Sequence, residues 1–293
     1  MTLAMNAFHV VILAFVQGLT ELLPVSSSAH VIIMAKLLHE NMSTPANAFL
    51  LVLLHTGTML AVILYFWRKW VDEFFSSWER FYTFFKLVVV STFLSAVVFL
   101  PVRKLVVHVL SHGSYHADIE VLFNKLSWIA PALAVVGILI IFAGLHEART
   151  RQTSGSSNSR GITWMNAIVM GILQGFAIPF RGFSRSGCTI SGGLLTGGDR
   201  SEIESYSFAM VVVITPAAIA WEAMRAFHAA HASGVSFASM LALGLLGLCF
   251  AFLAGLLALA WLSRWLEQGR WHWFGVYCLF AASVAFWLSF KGW

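Results

Sequence analysis

The sequence predicts an all-α integral membrane protein, with six transmembrane helices plus two re-entrant helical hairpins arranged as an inverted-topology repeat. Three observations carry this. Charged residues make up only 11% of the 293 residues against 59% hydrophobic ones, with a mean hydropathy of +0.81, whereas a soluble domain carries roughly 25% charged residues. Six apolar stretches reach the length that a hydrocarbon core of about 30 Å demands of a helix, about 20 residues. Two further apolar stretches are each interrupted by a polar break, and they match one another when the chain is slid along itself.

The first interrupted stretch, Ala7 to Leu38, breaks at Leu23-Pro24-Val25-Ser26-Ser27-Ser28. Proline removes a donor and blocks the preceding turn, so two short helices joined by polar backbone are expected. Three uninterrupted spans follow, near Ala48 to Trp67, Phe84 to Pro101 and Ser127 to Leu145. The second interrupted stretch, Thr163 to Leu195, breaks at Pro179-Phe180-Arg181-Gly182-Phe183-Ser184-Arg185-Ser186-Gly187, and three more spans run near Tyr206 to Met224, Ser239 to Leu262 and Trp271 to Phe290. Irregular backbone at membrane depth survives only against protein or a wet cavity, so both breaks are read as re-entrant tips lining a cavity. Soluble-looking linkers are expected over His146 to Gly161 and around Ser111 to Asp118. Trp67, Trp70, Trp271 and Trp273 read as interfacial anchors.

The net charge of +5 reads as an orientation signal; without a basic stripe, no nucleic-acid partner is expected. Placing the basic residues from Arg68 to Lys86, then Arg149, Arg151 and Arg160, then Arg264 and Arg270 in the cytoplasm leaves chiefly Arg103, Lys104, Lys125 and Arg225 outside. Cys188, Cys249 and Cys278 have neither metal-like nor disulfide-like spacing.

Gln17-Gly18 overlays Gln174-Gly175, and Ser27 overlays Ser184, without a gap. Three spans, an odd number, lie between the two hairpins, so the second enters from the opposite face. One membrane domain over 1–293 is expected, divided into repeats 1–145 (hairpin 7–38 plus three spans) and 146–293 (hairpin 163–200 plus three spans). Such repeats place sites near the midplane, where discontinuous helices meet.

The chemistry sits at the breaks. Gln17 and Glu21, spaced i, i+4, share a helix face just before Pro24. An ionisable group at this depth is a functional candidate; the alternative is a carboxyl bonded to the break for structure alone. Ser26, Ser27 and Ser28 can cap the next helix, with His30 three residues beyond Ser27. Hydroxyl, imidazole and carboxylate together also make the parts of an activated nucleophile. At the second break Arg185 stands between Ser184 and Ser186, with Gly182, Gly187 and Thr189 around it. A planar fork of donors, close-approaching backbone and a helix N-terminus all suit phosphate oxygens; the alternative is a tip held by arginine-to-carbonyl bonds. Arg181 adds a second positive charge. His55 either lines the same cavity or is a buried histidine satisfied by a neighbour. His108, His112 and His116 have helical spacing compatible with a metal, though such a cluster is more often a solvated face. Together the tips imply phosphoryl transfer to water on a lipid-borne phosphate.

Gln17 through His30 and Gly182 through Gly193 resemble the two long motifs of the undecaprenyl-diphosphate phosphatase family, bacterial membrane enzymes of the bacitracin-resistance type, and the resemblance spans nearly the whole chain. It implies hydrolysis of undecaprenyl diphosphate to undecaprenyl phosphate and inorganic phosphate, recycling the carrier lipid for cell-wall synthesis. It also implies a divalent cation, Mg²⁺ or Ca²⁺, and an inner-membrane site reached from the periplasm. Carried over residue by residue, it puts functional roles on Glu21, Ser27, His30, Ser184, Arg185, Ser186 and Thr189. The expected roles are Ser27 as nucleophile, Glu21 as its activator or metal ligand, His30 as acid/base, and Arg185 gripping phosphate with Ser184, Ser186 and Thr189. Gln17, Ser26 and His55 are further cavity candidates. Many members have Glu where this chain has Gln17, leaving the metal role to Glu21, and Arg181 replaces the usual Pro before Gly182. A transporter or flippase of a polyprenyl phosphate lipid is the competing reading, because broken helices in inverted repeats are a common transporter design; a non-catalytic lipid-binding protein is the third. A homodimer is left open.

Overall fold

The computed structural model describes residues 5–41, 44–110, 126–154, 161–232 and 237–291. Among these there are ten helices and no strand, because a helix satisfies its backbone within one segment where lipid offers no partners. Helices α1 (Ala7–Leu22), α2 (Ser27–Leu37), α6 (Trp164–Ala177) and α7 (Arg185–Leu195) are short. Helices α3 (Pro45–Phe74), α4 (Trp78–Leu110), α5 (Leu126–Ser154), α8 (Arg200–Ala232), α9 (Phe237–Glu267) and α10 (Trp271–Phe290) are each long and apolar enough to cross a membrane. At about 1.5 Å per residue the 16 residues of α1 fall short of a 30 Å core. The chain is a multi-pass membrane protein.

Five of the six spans run past the stretches expected for them, because hydropathy falls where charges begin while backbone hydrogen bonding continues. Pro101 does not end α4, nor Pro216 α8: a proline deletes one donor, and breaking the helix there would strand several. The first half of the expected linker after Leu145 is helical through Ser154, steadied by Glu147 and Arg151, an i, i+4 pair at 2.7 Å. Residues 155–160 of that linker, and the Ser111 to Asp118 stretch with His112 and His116, lie outside the described residues.

Helix α1 packs on α9 and α6 on α4; α3 meets α8, and α5 meets α10. Exchanging α1–α5 for α6–α10 leaves these pairings in place. The matched arms are also seated alike. A Cβ on Gly18 would lie 2.6 Å from the Ala251 carbonyl oxygen, and one on Gly175 2.4 Å from that of Ser95, so both arms approach a long helix more closely than any side chain permits. Around α6, Ser91 Oγ donates to the Ala167 carbonyl (2.8 Å), and Ser95 Oγ donates to that of Gly171 (2.8 Å) and accepts from Gln174 Nε2 (3.1 Å). At the far end of α7 from its first turn, Arg151 and Arg200 bind Glu147, Asp199 and the Glu267 carbonyl, tying α5, α8 and α9 together.

Candidate active site

The first break is short. Helix α1 ends at Leu22, Pro24 prevents its continuation, and α2 begins at Ser27. Between them Ser26 is buried with φ of 67° and ψ of 95°, a left-handed backbone that costs a β-carbon-bearing residue on the order of 1–3 kcal/mol unless its surroundings hold it. That corner turns Ser27 back toward α1, and its hydroxyl donates to Glu21 Oε2. Gln17, 2% exposed and one turn earlier, donates to the same oxygen (Nε2 to Oε2, 3.1 Å). His55 on α3 brings Nε2 to 3.7 Å from Glu21 Oε2. Its Nδ1 stands 2.8 Å from the Leu51 carbonyl; a carbonyl only accepts, so Nδ1 carries a proton and Nε2 is the ring nitrogen turned to Glu21.

The second break is longer and carries the positive charge. Ser184 Oγ accepts from Gly187 N–H (3.2 Å) and caps α7, which opens at Arg185. Gly182 has φ of +94°, and a Cβ there would stand 2.6 Å from the Ile129 carbonyl oxygen, so α5 presses directly on this turn. The tips touch across the site. Gly182 N–H donates to Ser28 Oγ (3.3 Å), and Arg185 Nη2 stands 3.4 Å from Glu21 Oε1. Arg185 Nε is buried with no protein partner among the described residues, leaving the fork with donors to spare.

Both tips open on one cavity of about 260 Å³, lined by Thr20, Glu21, Ser26, Ser27, Ser28 and His55 from one half and by the 177–186 turn from the other, including Arg181, Phe183, Ser184, Arg185 and Ser186. The structure therefore gathers Glu21, Ser26, Ser27, His55, Ser184, Arg185 and Ser186, with Gln17 behind Glu21. It sends two expected residues elsewhere. Thr189 is buried behind α7, its Oγ1 on the Arg185 carbonyl (2.9 Å) and 2.6 Å from Ser207 Oγ. His30 does not line the cavity; Nδ1 meets the Ser26 carbonyl (2.8 Å) and Nε2 the Tyr277 hydroxyl (2.7 Å). The imidazole facing the carboxylate is that of His55. Ser28, which joins the tips, is read from the sequence only as a capping serine, and Tyr277 is not singled out at all, since a single tyrosine in an apolar span carries no signal.

A hydroxyl donating to a carboxylate, opposite an arginine and a helix N-terminus, supplies an attacking oxygen, a proton acceptor and an anion grip in one cavity. The family model described as bacitracin resistance protein BacA matches residues 10–284. The chain is 45% identical to undecaprenyl-diphosphatase 2 of Acinetobacter baylyi, over 99% of this chain and 100% of that protein. It is 30% identical to the undecaprenyl-diphosphatase of Rhodopirellula baltica, over 97% and 98% of the two chains, and 30% identical to that of Christiangramia forsetii, over 96% and 97%. A match across nearly the whole length means that the chain belongs to the BacA family of bacitracin resistance proteins.

Proposed function

We propose that the protein hydrolyses undecaprenyl diphosphate to undecaprenyl phosphate and inorganic phosphate, returning the carrier lipid to cell-wall synthesis. The observation that carries this is the Ser27 hydroxyl donating to Glu21 while Arg185 holds the other oxygen of the same carboxylate. Ser27 Oγ attacks the terminal phosphorus as Glu21 takes its proton; the bond to the bridging oxygen breaks and undecaprenyl phosphate leaves. Water then splits the phosphoserine, one proton restoring the Ser27 hydroxyl and the other staying on phosphate, and Glu21 gives its proton to solvent. Arg185, with Ser184 and Ser186 at the start of α7, grips the phosphate oxygens. Thr189 supports that turn from behind, through the Arg185 carbonyl. Relatives named as diphosphatases favour hydrolysis over translocation.

A divalent cation, Mg²⁺ or Ca²⁺, fits this arrangement in one mode. Among the described residues no three His, Cys, Asp or Glu side chains converge, so the protein alone makes no cage. Glu21 with the Ser27 hydroxyl does offer the single carboxylate and hard oxygen that magnesium combines with substrate phosphates. Held there, the cation would neutralise charge on the phosphoryl oxygens. Purified protein in detergent is expected to release phosphate from undecaprenyl diphosphate, to stop on chelation with EDTA, and to recover with Mg²⁺ or Ca²⁺. No phosphate release from correctly folded protein would sink the hydrolase reading, because translocation alone leaves the diphosphate intact.

The two hairpins are re-entrant and enter from opposite faces of the bacterial inner membrane, with the cavity open to the periplasm, and 1–145 and 146–293 form the two halves of an inverted repeat. The preserved helix pairings, the three long helices between the hairpins and the basic bias support this. A cysteine introduced at Ser154 is expected to react with an impermeant thiol reagent only from the cytoplasm, and one at Thr44 only from the periplasm. Same-side labelling would refute the odd number of crossings.

A further inference from the structure

The Ser26 corner aims Ser27, and nothing in its own sequence favours a left-handed backbone there. His30 holds it. Its Nδ1 lies 2.8 Å from the Ser26 carbonyl oxygen; the carbonyl has no proton to give, so Nδ1 carries one and the neutral ring leaves Nε2 as an acceptor. The Tyr277 hydroxyl on α10, 2.7 Å from Nε2, donates into that lone pair, and the two rings stack with centroids 5.7 Å apart and planes 13° off parallel. We infer that Tyr277 is a positioning residue for the reaction at Ser27: it fixes the His30 tautomer whose Nδ1–H clamps the Ser26 carbonyl, so that the strained corner points Ser27 Oγ at Glu21. A histidine working as acid or base needs a ring nitrogen free toward the cavity, and both of His30's are engaged away from it.

Tyr277 is not needed merely to dock α10. Cys278, its neighbour, places Sγ 3.2 Å from the Pro24 carbonyl, and a phenylalanine at 277 keeps the ring stack. Loss of the hydroxyl therefore removes the tautomer lock and leaves the packing.

The inference rests on Ser27 as nucleophile, and the experiment separates the two. Tyr277→Phe is expected to lower kcat roughly tenfold at unchanged KM, as one removed hydrogen bond in a coupled chain does. In His30→Asn the amide N–H stands where Nδ1–H stood, and turnover is expected to fall by no more than about tenfold; in His30→Gln the amide reaches the Nε2 position instead, and the fall is about a hundredfold or more. Adding Tyr277→Phe to His30→Asn costs less than about twofold further, since the link is already broken. Nitrogen-15 NMR of histidine-labelled protein in nanodiscs is expected to show His30 protonated at Nδ1, and a mixed tautomer in Tyr277→Phe. Full turnover in Tyr277→Phe, a rise in KM at constant kcat, an unchanged tautomer, or a His30→Asn variant as inactive as His30→Gln would each overturn the inference. Activity in Ser27→Ala would instead remove the nucleophile assignment, while the tautomer readout still reports on the link between Tyr277 and His30.

Discussion

Ser27→Ala is expected to lower phosphate release by thousands-fold, the order of what losing a covalent nucleophile costs, and Ser184→Ala by roughly ten- to a hundredfold. The two serines overlay in the ungapped match between the breaks, and their surroundings separate them. Ser27 donates to a carboxylate that can receive its proton. Ser184 Oγ is occupied in capping α7 through the Gly187 N–H and lies 3.4 Å from Ser186 Oγ; its chain neighbour Arg185 cannot accept a proton. Ser27→Cys should keep only a trace. A greater loss in Ser184→Ala, or loss of substrate-analogue binding rather than turnover in Ser27→Ala, would reverse the roles of the tips.

Arg185→Lys is expected to keep a cation and still lose about a hundredfold or more in turnover. One guanidinium nitrogen faces Glu21 at 3.4 Å, and Nε is buried with no protein partner among the described residues, so the planar fork can serve the carboxylate and a phosphate at once. An ammonium is a single point of charge and must choose between them. Arg185→Ala is expected to be worse still, since it leaves Glu21 without its cation. Turnover within a few-fold of wild type in the lysine variant, measured as phosphate release at saturating lipid, would make Arg185 a charge and nothing more.

The spans were legible because periodicity hardly matters in lipid: length and the absence of charge suffice, and α10 is bounded by Trp271 and Phe290 as the sequence reading had it. The breaks were legible because Pro24, and Pro179 with Gly182, interrupt runs that would otherwise cross. Helix ends were not, since Arg149 and Arg151 lower the hydropathy without lowering helix propensity. Glu21 and Arg185 are 164 residues apart and were paired only by the repeat and the family motifs. Sequence spacing misled at His30. It is close to Ser27 along the chain, but its ring follows the helix away from the cavity, whereas His55, read as a lesser candidate, arrives from α3 through tertiary packing.

The arms that carry the tips rest backbone to backbone on α9 and α4 at Gly18 and Gly175, and lipid supplies no solvent pressure to hold such seams shut, only contact and shape. They act as the fixed jaws of a caliper. With jaws set this way, the gap between nucleophile and anion grip becomes a ruler for the headgroup. A diphosphate carries its terminal phosphorus one phosphate unit beyond the lipid, and is expected to reach Ser27 with its chain still in hydrocarbon. The monophosphate, to be cut in turn, would have to draw the first carbons of its tail in among serines and guanidinium.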